Sequence, residues 1–80
     1  MTRQFGDTVI LLRLVLIEQE KITDVMLMIR LQFNPETWRH WRPKLVEYYE
    51  EMEYTDDDSS YRIVYDKKQK LWTKQDVLYN

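Results

Sequence analysis

The sequence predicts a small α+β domain in which one helix covers one face of a four-stranded antiparallel sheet. Three observations support this class: alternating apolar residues over 23–33, a helix-start signal at Asn34 and Pro35, and two strand-like runs around a polar turn near the C-terminus. The predicted order is therefore strand, strand, helix, strand, strand. No linker or internal repeat divides the 80 residues, so we expect a single domain over 1–80.

Two strands are predicted in the N-terminal part. Residues 8–18 are apolar at odd and even positions alike and rich in β-branched side chains, which is typical of a strand covered on both faces. Residues 23–33 alternate, and they place Met26 and Met28 opposite the more uniform apolar set. The first segment also fits a buried helix over 8–20 with Asp7 as its cap, because periodicity does not separate a buried helix from a buried strand.

One helix follows these strands. Asn34 is a favourable helix cap, and Pro35 suits the first helical position. An apolar stripe with spacings of three and four residues then extends to near Tyr54 and consists of Trp38, Trp41, Leu45, Tyr48, Tyr49 and Met52. Pro43 removes a backbone donor and clashes with the preceding turn, so we expect a Pro-broken helix that restarts near 42–43.

The C-terminal part predicts a loop and a hairpin. The polar run 56–60 is expected to be a solvated loop. Residues 61–65 and 70–74 resemble two short strands around the polar turn 66–69, in which no glycine fixes the turn type.

The composition excludes several classes of protein. Cysteine is absent, which removes disulfides, thiolate metal sites and cysteine nucleophiles. The longest apolar run, 9–17, contains Arg13 and is far shorter than the roughly 20 residues that span a bilayer. No small-residue cleavage site follows it, so we expect no secretory signal and place the protein in the cytoplasm.

We also expect no catalysis, no cofactor and no metal site. His40 is the single histidine, and its basic neighbours Arg39 and Arg42 do not suit a general base. Ser59 and Ser60 lie in an acidic loop without the glycine elbow of a serine nucleophile. The aspartates before them lack the alternating spacing and the glycine of a calcium loop.

The charge distribution is the strongest functional signal. The net charge is −2, but 38–44 carries three cations without a carboxylate, and 45–58 carries seven carboxylates without a cation. A helix prefers anions at its start and cations at its end, so the reverse arrangement costs stability and suggests a charged partner. We interpret the acidic residues as a surface that docks on a basic protein, the alternative being a solvated face that confers solubility. They are Glu47, Glu50, Glu51, Glu53, Asp56, Asp57 and Asp58.

A second hypothesis is nucleic-acid binding. Rings and cations interleave over 38–44 and 61–74, and single-stranded nucleic acid is bound by stacking on rings and by cations that meet phosphates. The nearby carboxylates repel a phosphate backbone, which makes this the weaker hypothesis. Its candidate contacts are Arg39, His40, Arg42, Arg62, Lys67, Lys68 and Lys70.

The sequence therefore favours a non-catalytic protein–protein interaction module, such as a small inhibitor or regulator of the kind that viruses encode against a host factor. One helix covers only one face of a four-stranded sheet. We expect the other face, with Met26 and Met28, to contact a partner, most simply a second copy in a homodimer.

Overall fold

The computed structural model describes residues 4–56 and 59–77, the side chain of Asp56 excepted. Within these residues three helices accompany a four-stranded antiparallel sheet of order β1-β4-β3-β2. The predicted α+β class and the four-stranded antiparallel sheet are thus confirmed. The elements are α1 (Phe5–Gln19), β1 (Lys21–Thr23), α2 (Asp24–Arg30), α3 (Pro35–Glu50), β2 (Tyr54–Asp56), β3 (Ser59–Asp66) and β4 (Leu71–Val77).

The two strands predicted at 8–18 and 23–33 are wrong, because these segments form mainly α1 and α2. The helical alternative for the first segment is the observed one. Asp7 is not its cap, since α1 begins at Phe5 and Asp7 lies in the first turn, where its charge complements the helix dipole. Leucine, a good helix former, recurs through α1 and offsets the weaker helix propensity of its β-branched residues.

Helix α2 has sharp signals at both ends. The Thr23 hydroxyl accepts a hydrogen bond from the backbone N–H of Met26 and caps its start. At its end the backbone N–H groups of Gln32 and Phe33 donate to the carbonyls of Ile29 and Met28, and Gln32 adopts a left-handed φ of 64°. This is a Schellman motif, formed here without the usual glycine. Residues 25–29 are apolar at every position, so they satisfy the alternation of a strand as well as the spacing of a helix.

Helix α3 is continuous through Pro43, so the predicted break is wrong. Asn34 caps the helix as expected, accepting a hydrogen bond of 2.8 Å from the backbone N–H of Thr37. Proline removes one hydrogen bond from the helix, but tertiary contacts hold both sides of it in place. Trp38 is anchored before Pro43, and Leu45 and Tyr49 are buried after it.

The C-terminal hairpin is confirmed, with β3 and β4 longer than expected. A side-chain oxygen of Asp66 accepts hydrogen bonds from the backbone N–H groups of Lys68 and Gln69, and Lys70 closes the turn at a positive φ of 52°. An aspartate therefore fixes a turn that lacks glycine. The fourth strand is β2, which pairs with the start of β3 where a loop was expected.

The core lies between the helices and one face of the sheet. The register places Ile22, Trp72 and Tyr65 in one row across three strands, and Ile63 lies on the same face. Residues of this face join the core cluster with side chains of all three helices. The opposite face carries mainly polar residues, among them Lys21, Thr23, Arg62, Thr73 and Gln75, and its apolar members are Val64, Leu71 and Val77.

The expected contact surface on the sheet is therefore wrong in its location. Met26 and Met28 belong to α2 rather than to a strand. Met26 is exposed, whereas Met28 is partly buried against the core.

Candidate interaction surfaces

The outer face of α1 is apolar. Four large aliphatic side chains on it are 39–53% exposed, and they are Ile10, Leu11, Leu14 and Ile17. The opposite side of the same helix is buried in the core and carries Val9, Leu12, Val15 and Leu16. A helix that is apolar all round is normally covered on both sides. We call the four exposed residues the α1 strip.

Charges limit the α1 strip at both ends. Asp7 is exposed in the first turn of the helix. At the other end Glu18 accepts a hydrogen bond of 3.1 Å from Arg30 of α2, and both side chains are largely exposed. Between these charges the strip offers an apolar contact about two turns long.

A second apolar feature is a groove of about 450 Å³ where β1 meets α2. Its apolar lining consists of Ile22, Met26, Ile29 and Leu71. Met26 and Ile29 are 56% and 58% exposed, so large apolar areas of α2 face the groove and solvent. The polar residues around it are Gln19, Lys21, Thr23 and Arg30. We call this site the β1–α2 groove.

Among the strands that the structure describes β1 is the outermost, so the β1–α2 groove lies beside a free edge of the sheet. Toward β4, the Lys74 N–H donates to the Glu20 carbonyl at 2.7 Å, and the Asp24 N–H donates to the Lys70 carbonyl at 2.9 Å. Backbone groups alternate in direction along an antiparallel strand. The N–H groups of Lys21 and Thr23 therefore point away from β4, toward the free edge.

Asp24 fixes this corner of the molecule. Its side chain is 6% exposed and accepts hydrogen bonds at Oδ1 from the indole N–H groups of Trp38 and Trp72, each at 2.9 Å. Its Oδ2 accepts one at 2.7 Å from Arg42, whose side chain is 33% exposed. One carboxylate thus joins α2 to α3 and β4, and it holds α2 rigidly beside β1. Sequence reasoning missed Asp24, whose only sequence signal is a carboxylate inside an apolar run.

The acidic residues predicted to bind a partner are only partly brought together. Glu47, Glu50 and Glu51 are exposed at the end of α3. Glu53 forms an ion pair of 4.0 Å with Arg62. The side chain of Asp56 and all of Asp57 and Asp58 lie outside the described residues.

The basic residues predicted to bind nucleic acid are dispersed. Arg39 and His40 are exposed on α3, whereas Arg42 is bonded to Asp24. Arg62 donates a hydrogen bond to the Glu50 carbonyl. The remaining three lie in the exposed β3–β4 turn and are Lys67, Lys68 and Lys70.

Acidic and basic candidates meet at one cleft of about 460 Å³ between α3 and the β3–β4 turn. Glu47 and Glu50 line it together with Arg42, Lys67 and Lys70. The opposite charges offset each other there, so neither set forms a field of one sign. Docking on a basic protein and nucleic-acid binding both stay predictions.

Three tyrosines on the helix-covered side of the molecule have raised pKa values. Burial, reinforced by Tyr54 and Tyr48, raises the pKa of Tyr49 far above its ordinary value, and the Tyr49 hydroxyl donates to the Val9 carbonyl. Burial and a hydrogen bond with Tyr48 raise the pKa of Tyr54 to about 12. Burial and the Asp24 charge raise that of Tyr65. The three hydroxyl groups are therefore neutral at physiological pH.

Comparison of the chain with protein-family models, with curated proteins and with solved structures gave no match. Among the residues that the structure describes, no three or more His, Asp or Glu side chains group closely enough to hold a metal ion. No helix in the same residues is long and apolar enough to cross a membrane. The α1 strip and the β1–α2 groove are therefore the candidate functional surfaces of this protein.

Proposed function

We propose that this protein is a non-catalytic interaction module that pairs with a second copy of itself through the α1 strip. The observation that carries this proposal is that α1 is apolar on the face turned away from its own core. Exposed contiguous apolar surface usually marks an interface. Two-fold homodimers are the commonest soluble oligomers, and their interfaces are self-complementary.

The shape and charge of the strip suit an antiparallel pair of α1 helices. With the two-fold axis between Ile10 and Leu14 and a crossing angle of about 20°, the start of each helix meets the end of the other. Asp7 of one copy then approaches the Glu18–Arg30 ion pair of its partner, where Arg30 lies between the two carboxylates, and two such contacts form per dimer. A parallel pair brings the two Asp7 carboxylates together, which is unfavourable.

A small side chain also suits this arrangement. Gly6 lies one turn before Ile10, and no atom of the described residues lies within 4 Å of a Cβ added there. In the antiparallel pair the larger Ile17 side chain of one copy is placed near Gly6 of the other. The space beside Gly6 of one helix thus accommodates the Ile17 side chain of the other.

The strength of the contact follows from the exposed area. Burying a large aliphatic side chain completely contributes about 1.5–3 kcal/mol, so the four half-exposed side chains contribute about 4 kcal/mol per copy and about 8 kcal/mol per dimer. Association costs about 4–15 kcal/mol of translational and ordering free energy. At the low end of this cost about 4 kcal/mol remains, so the α1 strip alone supports a weak dimer with a Kd of about 1 mM.

Sedimentation equilibrium over about 5 µM to 1 mM tests this proposal. We expect the mass to rise with concentration from the 10.0 kDa monomer toward twice that value. Leu14→Lys should hold the protein at the monomer mass, because it places two cations beside the two-fold axis. Val25→Lys is the matched control, since Val25 is equally apolar and 58% exposed but lies on α2.

A charge exchange tests the orientation of the pair. Arg30→Glu should weaken the dimer, and adding Asp7→Lys should restore it, because the intermolecular pair is re-formed with the charges reversed. A wild-type protein that stays at the monomer mass throughout this range would refute the dimer. If Leu14→Lys and Val25→Lys weakened the dimer equally, the dimer contact would not lie on the α1 strip.

A further inference from the structure

The β1–α2 groove combines two features of a peptide-binding site. One is an edge strand whose outward N–H groups, at Lys21 and Thr23, can pair with an added strand about 4.8 Å away. The other is the apolar lining of the groove beside this edge, formed by Ile22, Met26, Ile29 and Leu71. Proteins that bind peptides by strand addition use an edge for affinity and adjacent pockets for alternate side chains.

The volume of the groove and its position suit this role. A volume of about 450 Å³ falls in the range of small ligand sites, about 300–1,000 Å³. Methionine is unbranched and adapts its shape, so Met26 can adjust to different apolar side chains. The hydrogen bonds of Asp24 hold α2 in place, which keeps the groove open without a ligand.

The charges select the chemistry of the occupant. Lys21 and Arg30 are the charged residues among the described lining, and both are cations. Glu18 neutralises Arg30 in part, whereas no ion pair is found for Lys21 within the described residues. An extended segment that carries carboxylates between its apolar residues complements this lining.

We propose that the β1–α2 groove binds an extended peptide segment of a partner protein, in which acidic residues alternate with large apolar ones. The segment adds as a strand to the free edge of β1, and its apolar side chains enter the groove over Met26 and Ile29. Its carboxylates face Lys21 and Arg30. The apolar residues of this site are distinct from those of the α1 strip, and Arg30 is the residue that both contacts use, so one chain can pair with its copy and bind a partner through Lys21.

The probes are acetylated and amidated octapeptides in which Glu or Asp alternates with Val, Ile, Leu or Phe. They are titrated into uniformly ¹⁵N-labelled protein, and amide shifts are followed by NMR. We expect at least one peptide to shift the amides of β1 and α2 saturably. Ile29→Lys should weaken that peptide at least tenfold. Val25→Lys, with the same 58% exposure on the same helix but outside the groove, should leave its affinity within twofold.

Two altered peptides test the binding mode. N-methylation of the residues that pair with β1 should abolish binding, because it removes the donor to the Lys21 carbonyl, which points outward with the Lys21 N–H, and it places a methyl group between the two strands without changing side chains. Replacement of all acidic residues by lysine should weaken binding at least tenfold, and Lys21→Glu should reverse that preference. Equal binding of the N-methylated peptide would overturn strand addition.

Other outcomes overturn the proposal as a whole. The absence of saturable shifts in β1 and α2 with every acidic peptide at 2 mM would refute peptide binding. Saturable binding of decanoate in the groove, with none of the peptides, would assign it to a fatty acid instead. The titration is repeated with Leu14→Lys, so that failure of the α1 dimer and failure of the groove are distinguished.

Discussion

Replacing Asp24 should destabilise the protein more than replacing any exposed carboxylate. Asp24→Ala leaves the indole N–H groups of Trp38 and Trp72 buried without an acceptor, at a cost of about 1–3 kcal/mol each. It also removes the ion pair with Arg42, which is worth about 1 kcal/mol after discounting for the exposed third of the Arg42 side chain. The expected loss is therefore about 3–7 kcal/mol.

This loss is large for a chain of 80 residues, whose total stability is expected to be about 4–12 kcal/mol. Asp24→Asn keeps an oxygen for the two indoles but turns an amide donor toward Arg42, so its cost should be about 2 kcal/mol. Glu18→Gln breaks an exposed ion pair and should cost no more than about 0.5 kcal/mol. The three variants thus form a graded series.

Urea unfolding followed by far-ultraviolet circular dichroism measures this series without relying on tryptophan emission, which changes when the indole bonds change. Thermal midpoints should fall in the same order, by roughly 4–8 °C per kcal/mol. If Asp24→Ala cost less than about 1 kcal/mol, or no more than Glu18→Gln, the conclusion that the Asp24 hydrogen bonds stabilise the fold would be refuted.

Three further predictions concern the backbone and the tyrosines. Gln32→Gly should stabilise the protein by about 0.5–1 kcal/mol in urea unfolding, because glycine adopts the left-handed conformation at the end of α2 without strain, and unchanged or lower stability would contradict this. Pro43→Ala should stabilise it by about 1–3 kcal/mol, because alanine restores a helical N–H donor, and a loss of stability would show that the ring makes an important contact. The free energy of unfolding should decline above about pH 10, because the unfolded chain there releases the Tyr49 proton that the folded protein retains. Tyr49→Phe should make this decline shallower in urea titrations at pH 8–11. An equally steep decline in Tyr49→Phe would assign the alkaline loss to other groups.

The sequence predicted the C-terminal half better than the N-terminal half for a physical reason. In the β3–β4 hairpin and at the start of α3, local signals agree with the tertiary structure: a polar turn at Asp66 and a cap at Asn34. In α1 and α2, continuous apolar runs satisfy strand and helix periodicities at once. For α2, the cap at Thr23 is the local signal that separates a helix from a strand.

The interaction surfaces were predictable in part. Because residues 8–18 are apolar on every side, the sequence predicted a strand with contacts on both faces. In the structure the segment is a helix, with one side buried in the core and the other side exposed as the α1 strip. The groove was not predictable, because it depends on β1 pairing with β4, about 50 residues later in the chain. The hydrogen bonds of Asp24 were not predictable for the same reason, since Trp72, one of the donors, is 48 positions away in the sequence.

The pairing of β1 with β4 also bears on how the chain folds during synthesis. β1 leaves the ribosome before β2, β3 and β4 and, among the described strands, pairs only with β4, so a loop of about 50 residues closes before the sheet is complete. Until β4 emerges, the apolar sides of α1 and α2 lack the sheet that buries them. At about 5–20 residues per second, this exposed interval lasts several seconds, during which the nascent chain is a candidate substrate for chaperones that bind apolar helices.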